Sequence, residues 1–153
     1  MQFSLSPHRM LYIAADHAGF ALKEALKKYL VEQKIKHVDL GATALNESDD
    51  YPIYAQTLAK KVAQEKNARG ILICGSGQGV CIVANRTSGV RAALAWSPES
   101  ARLSRNDDNA NILCLPGRLI KPGVTKQIVD TWLTTKFSGL ARHKRRIAQI
   151  DKK

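Results

Sequence analysis

A cysteine followed by a glycine-rich loop is the strongest sign of chemistry in this chain. Cys74 closes the apolar run 70–74, and the residues after it read Gly75-Ser76-Gly77-Gln78-Gly79. A thiol at the end of a strand and beside a helix N-terminus can act as a base or a nucleophile. Three glycines allow successive backbone N–H groups to turn towards an anion. A tight turn without a ligand and an inert core cysteine are the alternatives.

Polar residues flank two more of the predicted strands. Asp16 and His17 follow the apolar run 11–15, and the polar run 105–109 precedes another apolar run at 112–115. Ligands of open α/β sheets bind beyond the carboxyl ends of strands, so we expect these residues and the glycine loop to line one cleft. His17 is either an oriented imidazole or an ordinary residue at the start of a helix.

Basic residues in the C-terminal part of the chain could bind a phosphate. Arg118 follows the fifth predicted strand, and Arg142 and Arg146 are four residues apart on a predicted helix. Residues at this spacing project from one side of a helix, as a phosphate clamp requires. His143 lies between them and could belong to the site or to a basic face. Without evident metal ligands, the set fits proton abstraction beside a carbonyl on a phosphorylated substrate.

Apolar runs and amphipathic helices alternate along the chain. Pro52, Pro98 and Pro122 each stand where a helix should begin, and Ser97 is a good N-cap for the second of them. Strands that alternate with helices predict an α/β domain with a mostly parallel sheet covered on both faces. The five predicted strands are 11–15, 37–40, 70–74, 91–96 and 112–115.

Length and composition indicate one folded domain. The chain has 153 residues, of which 44% are hydrophobic and 24% charged, which is close to the globular average. We expect a single domain over residues 1–153, with an N-terminal arm at 1–10. No apolar run could cross a membrane and no signal peptide is evident, so we expect a cytoplasmic protein. Three cysteines without C-x-x-C spacing predict free thiols.

The positive charge is concentrated at the C-terminal end. Of the formal net charge of +11, the basic segment 136–153 carries +6. Such a segment can meet nucleic acid, an acidic membrane surface or a phosphorylated small molecule, or it can simply be a solvated helix face. Aromatic residues are not interleaved with the basic ones, which does not favour nucleic acid.

Six short motifs occur together in an order that resembles a known family. The chain is similar to the type B ribose-5-phosphate isomerases and their relatives, the galactose-6-phosphate isomerase subunits, from about Leu11 to Ile147. The matching stretches are Ala15-Asp16-His17-Ala18-Gly19, Asp50-Tyr51-Pro52, Gly70-Ile71-Leu72-Ile73-Cys74-Gly75-Ser76-Gly77, Ala84-Asn85-Arg86, Gly89-Val90-Arg91-Ala92 and Pro116-Gly117-Arg118.

The resemblance implies a fold, an assembly and a reaction. The fold would be a Rossmann-like three-layer α/β/α sandwich with a five-stranded, mostly parallel sheet. The assembly would be a homodimer, or a dimer of dimers, with active sites shared between subunits. The reaction would interconvert ribose 5-phosphate and ribulose 5-phosphate through a cis-enediolate, without a metal or other cofactor. The expected partners are a sugar phosphate and a second copy of the chain, rather than nucleic acid or a membrane.

The resemblance also implies roles for individual residues. Cys74 would move the proton between C1 and C2, while Ser76 and the amides after it would hold the enediolate oxygen. Asp16 would contact the sugar hydroxyls. The phosphate would be bound by His17, Arg142 and Arg146, joined by Arg118 from the partner subunit. Further substrate-binding positions are Tyr51, Gly75, Gly77, Gln78, Gly79, Asp108 and His143.

One segment departs from the family pattern. The family reads R-x-H-N-D-x-N before the fifth strand, where this chain has Asp107 in place of the histidine and Asp108 in place of the asparagine. That histidine opens the furanose ring in the family. A carboxylate can take a hydroxyl proton but is a poor acid for the ring oxygen. We therefore predict that Asp107 is the base in ring opening.

The same departure leaves other functions open. A six-carbon substrate such as allose or galactose 6-phosphate is one alternative, and a non-catalytic module that binds sugar phosphate or nucleic acid is another. The position after the glycine loop, where some relatives have a glutamate base, is Val80, so Cys74 has no evident competitor.

Overall fold

Strands and helices alternate along the chain, as the sequence predicts. The computed structural model describes residues 9–152, so residues 1–8 of the predicted N-terminal arm lie outside the described residues. Among residues 9–152, no helix is long and apolar enough to cross a membrane. The elements are β1 (Leu11–Ala15), α1 (His17–Glu32), β2 (Val38–Asp39), α2 (Tyr51–Gln64), β3 (Arg69–Cys74), α3 (Gln78–Ala84), β4 (Ala92–Leu94), α4 (Pro98–Asn106), β5 (Ile112–Pro116), α5 (Pro122–Thr134) and α6 (Ala141–Ile150).

The five strands form one sheet in the order β2-β1-β3-β5-β4, and every pairing is parallel. The expected α/β class with a mostly parallel five-stranded sheet is therefore confirmed. The three central strands, β1, β3 and β5, are buried along their whole length. From β1 the chain runs to β2 on one side of β1, and from β2 it crosses to β3 on the other side. The strand order therefore reverses at β1, and the crevice of this sheet lies between β1 and β3.

Helices cover both faces of the sheet and enclose two apolar cores. On one face, α1, α4 and α5 pack against alternate residues of the central strands, including Ile13, Ile71 and Leu113. On the other face, α2 and α3 pack against the intervening residues, including Leu72 and Cys114. Strand side chains alternate between faces, which explains why continuous apolar runs serve two cores.

The two edge strands are shorter than the sequence predicts. β2 pairs with β1 at only two positions, although 37–40 was the predicted strand. β4 covers Ala92–Leu94 within the predicted 91–96, because the chain beyond it already belongs to the start of α4. There the Trp96 N–H donates to Ser100 Oγ at 3.1 Å, and Ser97 Oγ accepts from Ser100 N at 3.1 Å as the predicted N-cap.

Candidate active site

A cavity of about 460 Å³ opens at the carboxyl ends of β1 and β3, at the crevice of the sheet. We call it the carboxyl-edge cavity. Its volume lies within the roughly 300 to 1,000 Å³ that is usual for small-molecule sites. Eight of the residues predicted for the site line it. The complete lining is Asp16, His17, Ala18, Tyr51, Cys74, Gly75, Ser76, Gly79, Arg118 and Leu119.

Cys74 ends β3 at the wall of this cavity. The residue is 4% exposed, and its thiol is free, as predicted. The chain then turns through Gly77, which has a φ of +73° and caps α3. A Cβ atom there would lie 2.6 Å from the Leu94 side chain, so the turn needs glycine. The turn leads from the Cys74 loop into the N-terminal end of α3, whose first N–H groups have no partner within the helix.

Tyr51 closes the cavity above the glycine loop. A Cβ atom on Gly79 would lie 2.6 Å from the Tyr51 ring, so the ring packs directly on the loop backbone. Within the loop, the Gln78 N–H donates to Ser76 Oγ at 3.3 Å. Ser76 and Gly75 face the cavity, whereas Gly77 and Gln78 shape the loop behind it.

His17 is held by an aspartate that the sequence analysis did not single out. Asp49 Oδ1 accepts from the His17 backbone N–H at 2.9 Å and lies 2.8 Å from His17 Nδ1. The side-chain hydrogen bond to Asp49 raises the pKa of His17, against the opposing effects of desolvation and of Arg118. Burial alone would raise the pKa of Asp49, but hydrogen bonds from His17 and Tyr54 lower it. The pair therefore favours a cationic imidazole.

Arg118 belongs to the same chain's cavity, which corrects the placement that the resemblance implies. Its backbone N–H donates to the Gly75 carbonyl at 3.0 Å, and Gly117 N donates to the Cys74 carbonyl at 2.8 Å. The loop after β5 thus continues the pairing with β3 and carries Arg118 over the glycine loop. A Cβ atom on Gly75 would lie 3.2 Å from Arg118 Nη1. Two basic groups, His17 and Arg118, therefore serve one cavity without a second chain.

Asp16 is buried at the start of α1, where its Oδ1 accepts from the Gly19 N–H at 3.1 Å. Among residues 9–152, Asp16, His17 and Asp49 form a group of possible metal ligands whose nearest atoms lie within 4.8 Å of one another. The hydrogen bond between His17 and Asp49 engages His17 Nδ1 and Asp49 Oδ1, whereas Asp49 Oδ2 is buried without a hydrogen-bond partner among residues 9–152.

The remaining predicted residues lie at the other edge of the sheet. The run 105–109 comes after α4 and before β5, so it stands at the amino ends of the strands. The length of β5, about 13 Å for five residues, separates it from the cavity of the same chain. The prediction that the run 105–109 and the glycine loop line one cleft is thus wrong for a single chain. In a parallel sheet, a segment that precedes one strand and a segment that follows the neighbouring strand lie at opposite edges.

These residues form a group of their own, which we call the amino-edge cluster: Asp107, Asp108, Arg142, His143 and Arg146. His143 is 5% exposed, and its Nδ1 lies 2.7 Å from Ser138 Oγ. Its Nε2 lies 3.9 Å from Asp107 Oδ1. Arg142 and Arg146 are exposed on α6, beside His143. His143 is therefore a buried part of the cluster, not part of the exposed basic face.

Comparison with known proteins identifies the family. A family model described as Ribose/Galactose Isomerase matches residues 11–150. The chain belongs to this family. It is 45% identical over 140 residues to a probable ribose-5-phosphate isomerase B of Mycoplasma pneumoniae, with 92% of this chain and 91% of that protein covered. It is 39% identical over 142 residues to the ribose-5-phosphate isomerase B of Escherichia coli, with 93% and 94% covered.

Solved structures of ribose/galactose isomerases share the whole fold. A ribose 5-phosphate isomerase from Thermotoga maritima matches with a TM-score of 0.91 and 48% identity, covering 95% of this chain and 99% of that one. The enzyme from Mycoplasma genitalium with bound ribulose-5-phosphate matches with a TM-score of 0.91 and 42% identity, covering 95% of both chains. The resemblance drawn from six motifs is confirmed, and the chain is an isomerase of this family.

Sequence reasoning missed three residues of this isomerase's cavity and its support. Ala18 and Leu119 line the cavity beside predicted residues. Asp49 was not singled out from the sequence, although it orients His17. No sequence spacing marks this contact, because the two residues are 32 positions apart.

Proposed function

We propose that the chain interconverts ribose 5-phosphate and ribulose 5-phosphate, with Cys74 as the base. The observation that carries this proposal is that the free Cys74 thiol shares one cavity with two basic groups, His17 and Arg118. A proton-transfer group and a phosphate site then line the same cavity, whose volume suits a small sugar. The names of the relatives and the ribulose-5-phosphate bound to the Mycoplasma genitalium enzyme support the choice of sugar.

In the forward reaction, the Cys74 thiolate removes the proton from C2 of the open-chain aldose. The C2–H electron pair becomes the C1–C2 double bond, and negative charge collects on O1. The same thiol then returns the proton to C1 while the O2 proton is transferred to O1, so that C2–O2 becomes the carbonyl and O1 the hydroxyl of the ketose. Ser76 and the N–H groups at the start of α3 are the donors for the enediolate oxygen, where preorganised donors are worth about 10²- to 10³-fold in rate.

The substrate is held at both ends. His17 and Arg118 bind the phosphate as charged donors, and the hydrogen bond that Asp49 accepts favours the cationic imidazole. Asp16 caps α1 through its Oδ1 and offers its other oxygen to a sugar hydroxyl. Tyr51 shields the bound sugar from solvent.

A second copy of the chain completes the site in this proposal. The amino-edge cluster contains groups suited to ring opening and phosphate binding, yet β5 keeps it away from the cavity of its own chain. In a homodimer in which each amino edge meets the partner's carboxyl edge, the amino-edge cluster of one chain would face the cavity of the other. The partner subunit's Arg142 and the partner subunit's Arg146 would then reach the phosphate.

Asp107 is the base in ring opening. Its neighbour His143 compensates for the histidine that the family pattern has at position 107, since His143 Nε2 lies 3.9 Å from Asp107 Oδ1. When the Ser138 hydroxyl donates to Nδ1, Nε2 carries the imidazole proton and faces Asp107. The cluster thus offers a carboxylate and a proton donor side by side.

The test is a steady-state assay of ketose formation from ribose 5-phosphate, with Cys74→Ala and Cys81→Ala compared. Cys81 bonds the Ala92 carbonyl at 3.3 Å and does not line the cavity, so its variant is the matched control. We expect Cys74→Ala to lose at least about 100-fold in kcat and Cys81→Ala to stay near wild type. Turnover of allose or galactose 6-phosphate instead would identify a six-carbon isomerase. If none of these sugar phosphates is turned over, the chain would be a non-catalytic binding module.

A further inference from the structure

A second, smaller pocket lies at the amino ends of β3 and β5, on the other edge of the sheet from Cys74. Its volume is about 170 Å³. Four arginines line it, together with one carboxylate, that of Glu65, and three asparagines. The arginines are Arg9, Arg69, Arg91 and Arg105.

Two of these arginines are buried, and no carboxylate among residues 9–152 pairs with them. Arg69 is 4% exposed and Arg105 is 6% exposed. Their hydrogen bonds go to neutral acceptors: Arg69 Nη1 donates to the Leu133 carbonyl at 2.9 Å, and Arg105 Nη1 donates to Asn109 Oδ1 at 2.8 Å. Within residues 9–152, none of the four arginines forms an ion pair.

The pocket also holds donors without acceptors. The Nε atoms of Arg9 and Arg105 are enclosed and have no hydrogen-bond partner among residues 9–152. Glu65 is engaged elsewhere, because its Oε1 accepts from the Tyr12 hydroxyl at 2.5 Å. A buried charged donor that lacks its partner is costly, so an acceptor is expected to fill such a place.

Burial and the neighbouring like charges both lower the pKa of the two buried guanidinium groups. Burial, followed by the charges of Arg105 and Arg9, lowers the pKa of Arg69 to about 9. Burial, followed by the charges of Arg9 and Arg91, lowers the pKa of Arg105 to about 10. The eight residues before Arg9 contain no Asp or Glu, so that segment has no acidic side chain to offer.

We propose that this arginine pocket binds a phosphate group, as free phosphate or as the end of a small phosphorylated metabolite. The four arginines and Glu65 leave a net charge of three positive units, which a dianion matches better than a single carboxylate does. Guanidinium forks suit phosphate oxygens, and the free Nε donors point to an oxyanion acceptor. The length of β3, roughly 17 Å, separates this site from the carboxyl-edge cavity.

Asn109 allows a sharp test. Its Oδ1 already accepts from Arg105, and its φ of +48° is one that Asp also tolerates. The isosteric Asn109→Asp variant therefore puts a carboxylate beside the guanidinium, where it competes with a bound anion. We expect affinity for inorganic phosphate at this site to fall about tenfold or more. We also expect the melting temperature without phosphate to rise.

Isothermal titration with inorganic phosphate separates the two sites. Wild type should show two binding events, one lost in Arg118→Ser and the other in Asn109→Asp. Arg9→Gln should weaken phosphate binding at the arginine pocket without adding a negative charge. Gln127→Glu is the control, because it adds one negative charge, as Asn109→Asp does, but on an exposed helix face. If glycerol 1-phosphate binds the arginine pocket more tightly than inorganic phosphate does, the ligand is a phosphorylated metabolite. If the two bind equally, the ligand is free phosphate. A single event that Asn109→Asp and Arg9→Gln leave unchanged overturns the proposal, whether or not the isomerase assay succeeds.

Discussion

The two edges of the sheet carry charge in different ways. At the carboxyl edge, two acidic groups have partners within the chain: Asp49 pairs with His17, and Asp16 caps α1. At the amino edge, four arginines line one pocket without an ion pair in the part of the chain that the structure describes, and the Asp107–His143 pair stands apart from the thiol of its own chain. The first edge holds the proposed thiol and phosphate ligands in one cavity, whereas we propose that a partner chain and a bound anion complete the second.

The contrast follows from the topology. The crevice between β1 and β3 brings Asp16 and Cys74 together after their strands, and the loop after β5 adds Arg118. The amino edge collects the segments that lead into strands, such as Arg69 and the run 105–109. Charged groups at that edge can serve a partner or a bound anion, but not the cavity of their own chain.

The largest effect is expected at the carboxyl edge, where Arg118→Ser removes a charged phosphate ligand. We expect kcat/KM for ribose 5-phosphate to fall by about 30- to 1,000-fold, because a charge-assisted contact to phosphate is lost. Arg102→Ser is the matched control, since Arg102 pairs with Glu99 on the exposed face of α4. Equal kinetics of the two variants would contradict the assignment of Arg118.

An intermediate effect is expected from Asp107→Asn at the amino edge. The amide cannot take the hydroxyl proton, so turnover of the cyclic sugar should fall by about 10- to 100-fold. The reverse reaction starts from an acyclic ketose and should be affected less. A variant as fast as wild type on cyclic ribose 5-phosphate would refute the role of Asp107 in ring opening.

A smaller effect is expected from Asp49→Asn, which keeps the shape of the His17 contact and removes its charge. The pKa of His17 is raised by Asp49, so the variant should have a lower His17 pKa. Phosphate binding by His17 is strongest while the imidazole is protonated and weakens as pH rises through that pKa. The rise of KM with pH should therefore begin at a lower pH in Asp49→Asn. An unchanged KM profile would contradict the proposed ion pair.

Several elements were predictable from the sequence because their signals are local. The buried strands follow from apolar runs, and the start of α4 follows from Ser97 and Pro98. Cys74 and the glycine loop could be placed at a strand end for the same reason. α1 begins at His17, only two residues after the end of β1, so the position of His17 also follows from local signals.

Other features depend on contacts between distant segments, which no local pattern encodes. Asp49 reaches His17 across 32 positions, and the arginine pocket joins residues from four separate parts of the chain. The short β2 reflects an edge strand that has one neighbour rather than two. The misplacement of the run 105–109 had a different origin: the parallel topology already assigns it to the amino edge.

The central claim is that the carboxyl edge of one chain works with the amino edge of another, and subunit complementation tests it most directly. Cys74→Ala and the double variant Arg142→Ser/Arg146→Ser should each be inactive alone. A mixed dimer contains one site with both defects and one intact site, so refolding equal amounts together should restore about one quarter of wild-type turnover. A mixture no more active than its parents would contradict the shared site and place the complete reaction within a single chain.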